Sequence, residues 1–229
     1  GDEILSGRTR DSNMHHLATE LTHIGLDMTE ARVVPDTHDR IVEAVQSLSE
    51  RWDHVFTCGG IGPTHDDITA DAVAAAFGVP IGVREDARAL LEAHYAQQGL
   101  EVNEARLRMA RIPAGARLIE NPISAAPGFS LNNVHVMAGV PTIFEAMVAS
   151  VLQTVTGGAP LLSQTLQVQR GEGDIAAAVG EVAADFPELS VGSYPFIRGG
   201  VHGVNVVVRG TDNAQVDAAV TRLAGMLDT

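Results

Sequence analysis

Short apolar segments alternate with amphipathic helices through the first two thirds of the chain. Helices are predicted at residues 11–26 and 37–50, where apolar side chains recur at spacings of three and four. Strands are predicted at residues 29–35 and 54–57. Strands that are separated by helices build a parallel sheet with helices packed against it. The pattern therefore predicts an α/β fold with a mostly parallel sheet.

A second domain is indicated by a change of character after residues 156–160, which read Thr-Gly-Gly-Ala-Pro and are typical of a linker. Beyond this segment the order of predicted elements is β-α-β-β-α, which is typical of a small α+β unit with an antiparallel sheet. We expect two domains, residues 1–155 and residues 161–229.

Charge and composition restrict the class of partner. The 29 acidic side chains outnumber the 15 basic ones and give a formal net charge of −14, which argues against a nucleic-acid partner. No apolar run is long enough for a membrane helix, so we expect no membrane partner. A single cysteine, Cys58, fits the reducing cytoplasm. We expect a cytoplasmic protein whose partner is a small molecule.

Residues 57–69, TCGGIGPTHDDIT, combine glycines, which leave the backbone without side chains, with the carboxylates of two aspartates. Consecutive glycines after a strand let a ligand approach the backbone, and the N–H groups that begin the next helix favour an anion. Two aspartates oppose an anion unless a hard cation such as Mg²⁺ accompanies it. The alternative is a tight turn in which one side chain caps the helix. The residues that compete for that one capping role are Thr64, Asp66, Asp67 and Thr69.

Three further segments are rich in turn residues and polar groups: GDEILSGRTRDSN at residues 1–13, VVPD at 33–36 and NPISAAPGF at 121–129. Each has an ordinary explanation, respectively an exposed terminal loop, an Asp36 cap on the second predicted helix, and a turn-rich connection. Gly1 resembles the end of a turn that normally follows a strand, and the sequence has no strand before it. We therefore expect the chain to be a shortened copy of a longer one.

Together, and in their order along the chain, these four motifs resemble the molybdopterin-binding domain of molybdenum-cofactor biosynthesis proteins and of the competence/damage-inducible protein A (CinA) family. The resemblance covers about residues 1–155, and the GPTHDD ending is nearer to the CinA branch. Residues 161–229 are similar to the tail that follows this domain in the N-terminal half of eukaryotic-type FAD synthases. The resemblance implies a three-layer α/β/α sandwich with a small C-terminal α+β unit, assembled as a dimer or trimer.

The resemblance also implies roles for individual residues. Those that match positions facing the phosphates or the pterin are Gly59, Gly60, Gly62, Thr64, Asn13, Asn121, Pro127 and Gly128. Those that would hold a divalent metal (Mg²⁺, Mn²⁺ or Co²⁺) are Asp66, Asp67, Asp2 and Glu3, and the candidate catalytic residues are Asp67 and Asp36. Molybdopterin is a further candidate ligand. The chain departs from the family pattern at Ser124, where a glycine is usual.

By this resemblance, we expect a metal-dependent hydrolase of a nucleotide pyrophosphate such as ADP-ribose or FAD. One alternative is molybdopterin adenylyl transfer, against which the doubled aspartate and the extra C-terminal unit count. The other is a module that binds a pterin or nucleotide without turning it over.

Overall fold

The computed structural model describes residues 1–227, which form two compact units. The N-terminal unit comprises Gly1–Glu20 and Met28–Thr156, and the C-terminal unit comprises Leu21–Asp27 together with the chain from Gly157 onward. The grouping of Leu21–Asp27 with the C-terminal unit is not evident from the sequence pattern. Every helix in residues 1–227 is too short or too polar to cross a membrane.

The N-terminal unit alternates helices and short strands. Its helices are α1 (Asp2–Leu5), α2 (Ser12–His23, whose last turn lies in Leu21–Asp27), α3 (His38–Ser49), α4 (Thr69–Ala76), α5 (Glu85–Gln97), α6 (Glu104–Leu107) and α7 (Pro141–Leu152), with a 3₁₀ turn at Arg108–Ala110. Its strands are β1 (Val55–Cys58), β2 (Ile81–Val83), β3 (Arg111–Pro113), β4 (Arg117–Ile119), β5 (Gly128–Leu131) and β6 (Val134–Met137).

Strands β1, β6, β5 and β4, in that order, form the four-stranded sheet. Strand β1 runs parallel to β6, with Val55 opposite Val134 and Cys58 opposite Met137, whereas β5 pairs antiparallel with both β6 and β4. All residues of β5 and β6 are buried. Because successive side chains of a strand point to opposite faces, both faces of the sheet are covered. The predicted α/β class is confirmed, but the sheet is mixed rather than mostly parallel, since one of its three described ladders is parallel and two are antiparallel.

The C-terminal unit is a three-stranded antiparallel sheet with two helices. Its elements are β7 (Leu162–Val168), α8 (Glu172–Asp185), β8 (Ser190–Arg198), β9 (Val201–Gly210) and α9 (Asn213–Met226), and the strand order is β7-β9-β8. Alternate valines of β9, Val204, Val206 and Val208, are buried with apolar residues of both helices. The β-α-β-β-α order has the predicted α+β character.

Residues 29–35 do not form the strand that the sequence predicts. Glu30 accepts hydrogen bonds from Arg32 Nε (2.7 Å) and from Trp52 Nε1 (3.0 Å). The carbonyl oxygen of Val34 accepts one from the nitrogen of Gly1 (2.8 Å). Side chains and the first residue of the chain, rather than a strand ladder, therefore hold this segment.

The sequence pattern of residues 102–111 also predicts a single helix, and this prediction is wrong. Asn103 caps the short α6 through a hydrogen bond from Arg106 N (2.9 Å), and a 3₁₀ turn follows. Arg111 already pairs with Val83 as the first residue of β3. Pro113, which lacks an N–H group, could not continue a helix. This break places Arg108 on a turn.

Candidate functional site

The glycine loop of residues 57–69 leaves β1 at the carboxyl end of the strand. The amide of Gly59 donates to Met137 O (2.9 Å), one residue beyond the parallel ladder. Gly59 and Gly60 have φ values of +95° and +70°, a region that glycine adopts at little cost. A Cβ atom at Gly60 would collide with Thr69 Oγ1, and Thr69 N donates to Gly60 O (2.9 Å). The loop therefore folds back onto the start of α4 and has no room for a side chain at Gly60.

The carboxylate of Asp67 is turned into the loop. Its Oδ2 accepts hydrogen bonds from the amide (2.8 Å) and the hydroxyl (2.5 Å) of Thr64. A Cβ atom at Gly62 would lie 2.6 Å from the same oxygen, so the close approach requires glycine there. The predicted loop residues Gly62, Thr64 and Asp67 thus lie together.

Helix α4 has no side-chain cap: its N-cap residue is Ile68, which makes no capping hydrogen bond. The capping alternative for the aspartates and for Thr69 is therefore wrong. Asp66 is exposed, and hydrogen bonding to Thr64, followed by its own backbone amide and the nearby His65, holds its pKa below the usual value. The lowered pKa keeps the exposed carboxylate of Asp66 ionised at neutral pH.

Two arginines that the sequence analysis missed line a recess beside the loop, together with Gly62, Asp67 and Asp71. Arg111 forms a bidentate pair with Asp71 (2.7 and 2.6 Å). Arg108 Nη2 donates to the backbone oxygen of Asp67 (3.3 Å), and Arg108 Nε is buried without a hydrogen-bond partner. The sequence offers no signal for them, because their position depends on the unexpected turn after α6.

Asn13 joins three segments at the end of β1. Its side chain is buried, and Nδ2 donates to Cys58 Sγ (2.9 Å) and to Gly139 O (2.8 Å). Its Oδ1 atom is buried and has no hydrogen-bond partner within residues 1–227. The backbones of Gly59 and Gly139 are close enough that a Cβ atom at Gly139 would lie 3.2 Å from Gly59 Cα. The predicted site residue Asn13 therefore lies directly beside the glycine loop.

The first motif and the VVPD motif also meet. The amide of Asp2 donates to Asp36 Oδ2 (2.9 Å), whereas α3 begins after Thr37 without a side-chain cap. The alternative in which Asp36 caps α3 is therefore wrong, since its carboxylate serves the start of α1. The pKa of the Cys58 thiol is raised, chiefly by desolvation of its sulfur, against the hydrogen bond from Asn13, and with Asp11 and Glu3 adding to the rise. Glu3 is thus within electrostatic reach of the end of β1.

In the part of the chain that the structure describes, no three or more His, Cys, Asp or Glu side chains are arranged to hold a metal ion. The candidate metal ligands Asp2, Glu3, Asp66 and Asp67 therefore do not form a preformed cage. Their role as ligands stays a prediction.

The third motif forms a loop with internal hydrogen bonds. Asn121 Nδ2 donates to Ser124 Oγ (2.7 Å) and Ala126 O (2.8 Å), and its Oδ1 accepts from the amides of Ile123 (3.1 Å) and Ser124 (3.2 Å). A Cβ atom at Gly128 would collide with Val136 O, so this glycine is required by strand packing. Pro127 lines the recess beside the glycine loop. Ligand contacts of Asn121, Pro127 and Gly128 stay predictions.

Two family models match the chain. The first, described as a probable molybdopterin binding domain, matches residues 1–160. The second, described as the middle domain of FAD synthase, matches residues 160–229. Together they span both compact units.

Individual relatives agree with these matches. A protein of Pyrobaculum arsenaticum is 37% identical over 204 residues, covering 85% of this chain and 77% of that protein. A CinA-like protein of Sulfurihydrogenibium sp. is 35% identical over 159 residues, covering 67% of this chain and 40% of that longer protein.

A solved structure supports the fold. The crystal structure of the protein CinA with unknown function from Thermoplasma acidophilum matches with a TM-score of 0.62 at 35% identity. The match covers 67% of this chain and 93% of that one. It confirms the predicted α/β fold, and with the family model and the relatives it shows that the chain belongs to the molybdopterin-binding domain family, in its CinA-type branch.

Proposed function

We propose that the N-terminal unit is a metal-dependent hydrolase of nucleotide pyrophosphates of the ADP-ribose or FAD type. The observation that carries this proposal is the glycine loop after β1, where Gly59 and Gly60 adopt positive φ and Gly62 lies against the carboxylate of Asp67. Bare backbone lets a diphosphate approach closely, and carboxylates suit the hard cation that accompanies a diphosphate. The match of residues 160–229 to the middle domain of FAD synthase supports an adenine dinucleotide as substrate.

Donors for the phosphate oxygens come from the loop and from the first turn of α4. The first N–H groups of a helix have no partner within the helix, so they favour an anion at its start. Asn13 adds an acceptor, because its buried Oδ1 can receive a hydrogen bond from a ligand hydroxyl or amino group. The loop thus has groups for both the diphosphate and its nucleoside.

The carboxylates at the loop fit a hard divalent cation. Mg²⁺ is commonly held by one or two protein carboxylates, with substrate phosphate oxygens completing its coordination. A cage of three protein ligands is therefore not required. Asp66 and Asp67 would hold the cation, with Asp2 and Glu3 as further candidates. When bound, such a cation neutralises phosphate charge and polarises a phosphoryl oxygen.

In the hydrolysis, a water oxygen forms a bond to one phosphorus, the bridging P–O bond breaks, and two phosphomonoesters leave. The role that we assign to Asp67 or Asp36 is to accept the proton of that water. Both side chains are oriented by hydrogen bonds, Asp67 from Thr64 and Asp36 from the amide of Asp2. An ionised carboxylate retains further acceptor positions.

The direct test is incubation of the protein with ADP-ribose, FAD, or ATP plus molybdopterin, with and without Mg²⁺, Mn²⁺ or Co²⁺, and with chromatographic detection of AMP and of adenylylated pterin. We expect AMP from ADP-ribose or FAD only when metal is present. Adenylylated molybdopterin would identify a transferase instead. Tight ligand binding without turnover would leave a binding module.

Substitution of Asp67 tests its role. Asp67→Asn keeps an oxygen that can accept from Thr64, so we expect an intact fold with hydrolysis reduced by about 100-fold or more. The matched control is Asp39→Asn, which removes one exposed carboxylate from α3. Wild-type turnover in Asp67→Asn would exclude Asp67 from the mechanism.

A further inference from the structure

Among the residues that the structure describes, Arg108 is a partly buried cation without an anionic partner. Within residues 1–227, no carboxylate oxygen lies within 4.0 Å of its guanidinium nitrogens, and its Nε atom is buried without an acceptor. Its one hydrogen bond runs from Nη2 to the backbone oxygen of Asp67 (3.3 Å). A buried donor without an acceptor costs free energy, so its presence in a folded protein needs a cause.

The carboxylates nearest along the recess are already engaged. Asp71 receives both terminal nitrogens of Arg111 at 2.7 and 2.6 Å, and the Oδ2 atom of Asp67 receives two hydrogen bonds from Thr64. Arg108 thus contributes a guanidinium that forms no ion pair within residues 1–227, although the carboxylate of Asp67 lines the same recess. The charge of Arg108 lies against the backbone of the glycine loop, in a chain whose net charge is −14.

The backbone of Arg108 is positioned by the secondary structure around it. Arg108 begins the 3₁₀ turn before β3, and β3 pairs with β2 from Arg111 onward. A guanidinium presents several N–H donors in one plane, which matches two oxygens of a phosphate group. The recess that Arg108 lines with Gly62 and Asp67 opens beside the loop.

We propose that Arg108 is a phosphate-binding residue of this site and donates hydrogen bonds to a phosphate group of the diphosphate at the glycine loop. This inference rests on the proposed function, because it takes a diphosphate as the ligand of the loop. The inference goes further than the proposed function in one respect: the guanidinium of Arg108 supplies a positive charge to the site, so that a diphosphate binds measurably even without a divalent metal.

The experiment is calorimetric titration of the full chain with inorganic pyrophosphate at low ionic strength in the presence of EDTA. Arg108→Gln should weaken binding by about tenfold or more, whereas Arg108→Lys, which keeps the charge but not the planar donors, should give an intermediate affinity. The matched control is Arg88→Gln, which removes an exposed arginine paired with Glu92 on α5. Circular dichroism and melting temperature show whether each variant is folded.

The outcomes separate the two proposals. Equal pyrophosphate affinity in wild type and in folded Arg108→Gln would overturn the role of Arg108 and leave the hydrolase proposal intact. Weaker binding in Arg108→Gln, with no hydrolysis of ADP-ribose or FAD by wild type, would support Arg108 and overturn the hydrolase. A wild-type protein that binds no pyrophosphate in EDTA would overturn the role of Arg108 and leave the metal-dependent hydrolase proposal intact. If Arg108→Gln is unfolded, wild-type affinity in Arg108→Lys overturns the planar-donor role.

Discussion

Asn13 and Asn121 come from two motifs of the same family, and each retains only 6% of its surface exposure. The amide of Asn121 is fully used inside its own loop, where it donates twice and accepts twice. Asn13 donates twice, to Cys58 and to Gly139, but its oxygen has no partner. The two asparagines are therefore equally buried, but the hydrogen bonding of Asn121 is complete and that of Asn13 is not.

The difference separates a structural motif from a candidate binding motif. A satisfied polar group stabilises the fold, whereas an unsatisfied one lowers its stability until a partner arrives. Among the described residues, three buried side-chain atoms without partners are Asn13 Oδ1, Thr57 Oγ1 and Arg108 Nε. Asn13 contacts the residue that ends β1, Thr57 precedes that residue, and Arg108 contacts Asp67. Incomplete hydrogen bonding is thus concentrated around the glycine loop.

Asn121→Ala should have the largest effect on stability. The change leaves two amides, a hydroxyl and a carbonyl without their partner, so we expect the free energy of unfolding to fall by about 3 kcal/mol. Urea unfolding of the N-terminal unit measures this. A loss below that of Asn13→Ala would contradict the contrast between the two asparagines.

The next largest effect on stability should come from His135, a buried histidine of the sheet, and it should depend on pH. His135 accepts or donates to Ser130 Oγ (2.8 Å) and His54 Nδ1 (3.2 Å). Burial, with the charges of His54 and Arg117 adding, lowers its pKa to about 4. Because the unfolded chain takes up this proton near the ordinary histidine pKa of about 6.5 and the folded chain does not, stability is lost as pH falls from about 6.5 to 4.

The loss attributable to His135 should reach roughly 2 to 3 kcal/mol at the acid end of that range. It is measured as the difference between wild type and His135→Gln in urea unfolding at pH 7 and at pH 4.5. Parallel pH profiles for the two proteins would show that His135 titrates normally in the fold.

Asn13→Ala should cost less than Asn121→Ala, about 1 to 2 kcal/mol, because the change removes two hydrogen bonds but also removes an unsatisfied oxygen. Its larger effect should be on ligand binding, where we expect ADP-ribose affinity to fall by about tenfold. Calorimetric titration measures the affinity. If Asn13→Ala binds ADP-ribose as tightly as wild type, Asn13 has a structural role, as Asn121 does.

Thr57→Val should have the smallest effect and the opposite sign. Valine has nearly the shape of threonine without the buried hydroxyl that lacks a partner. We expect the free energy of unfolding to rise by roughly 0.5 to 1 kcal/mol. A decrease of the same size would indicate that the Thr57 hydroxyl is satisfied in solution.

Local sequence patterns predict much of the fold because periodicity reports burial directly. Strand β1, the β5–β6 hairpin, α7 with Pro141 in its first turn, and the C-terminal β-α-β-β-α order follow from apolar spacing and turn residues. Residues 29–35 carry the same apolar and β-branched signal but lack a ladder partner in the described chain. Pairing is a long-range property, so a local pattern cannot show it.

The candidate site was predictable only where the motif itself carries the geometry. Glycines at positive φ, at Gly59 and Gly60, follow from the consecutive glycines of the motif. The engagement of Asp67 by Thr64 and the position of Arg108 depend on tertiary contacts and on a four-residue helix, α6, that no periodicity can identify. The meeting of Asp2 with Asp36 likewise joins residues 34 positions apart.

The side-chain amide of Asn13 offers a spectroscopic probe of the site. Its nitrogen donates to groups on two other segments, at Cys58 and Gly139, so its protons should exchange slowly with solvent for an asparagine side chain. In a ¹⁵N spectrum this NH₂ pair would therefore give a well-resolved signal. The oxygen of the same amide is the proposed acceptor for a ligand hydrogen bond. Changes in this signal during titration with ligand would therefore report the fraction of protein that has ligand bound, without any substitution in the chain.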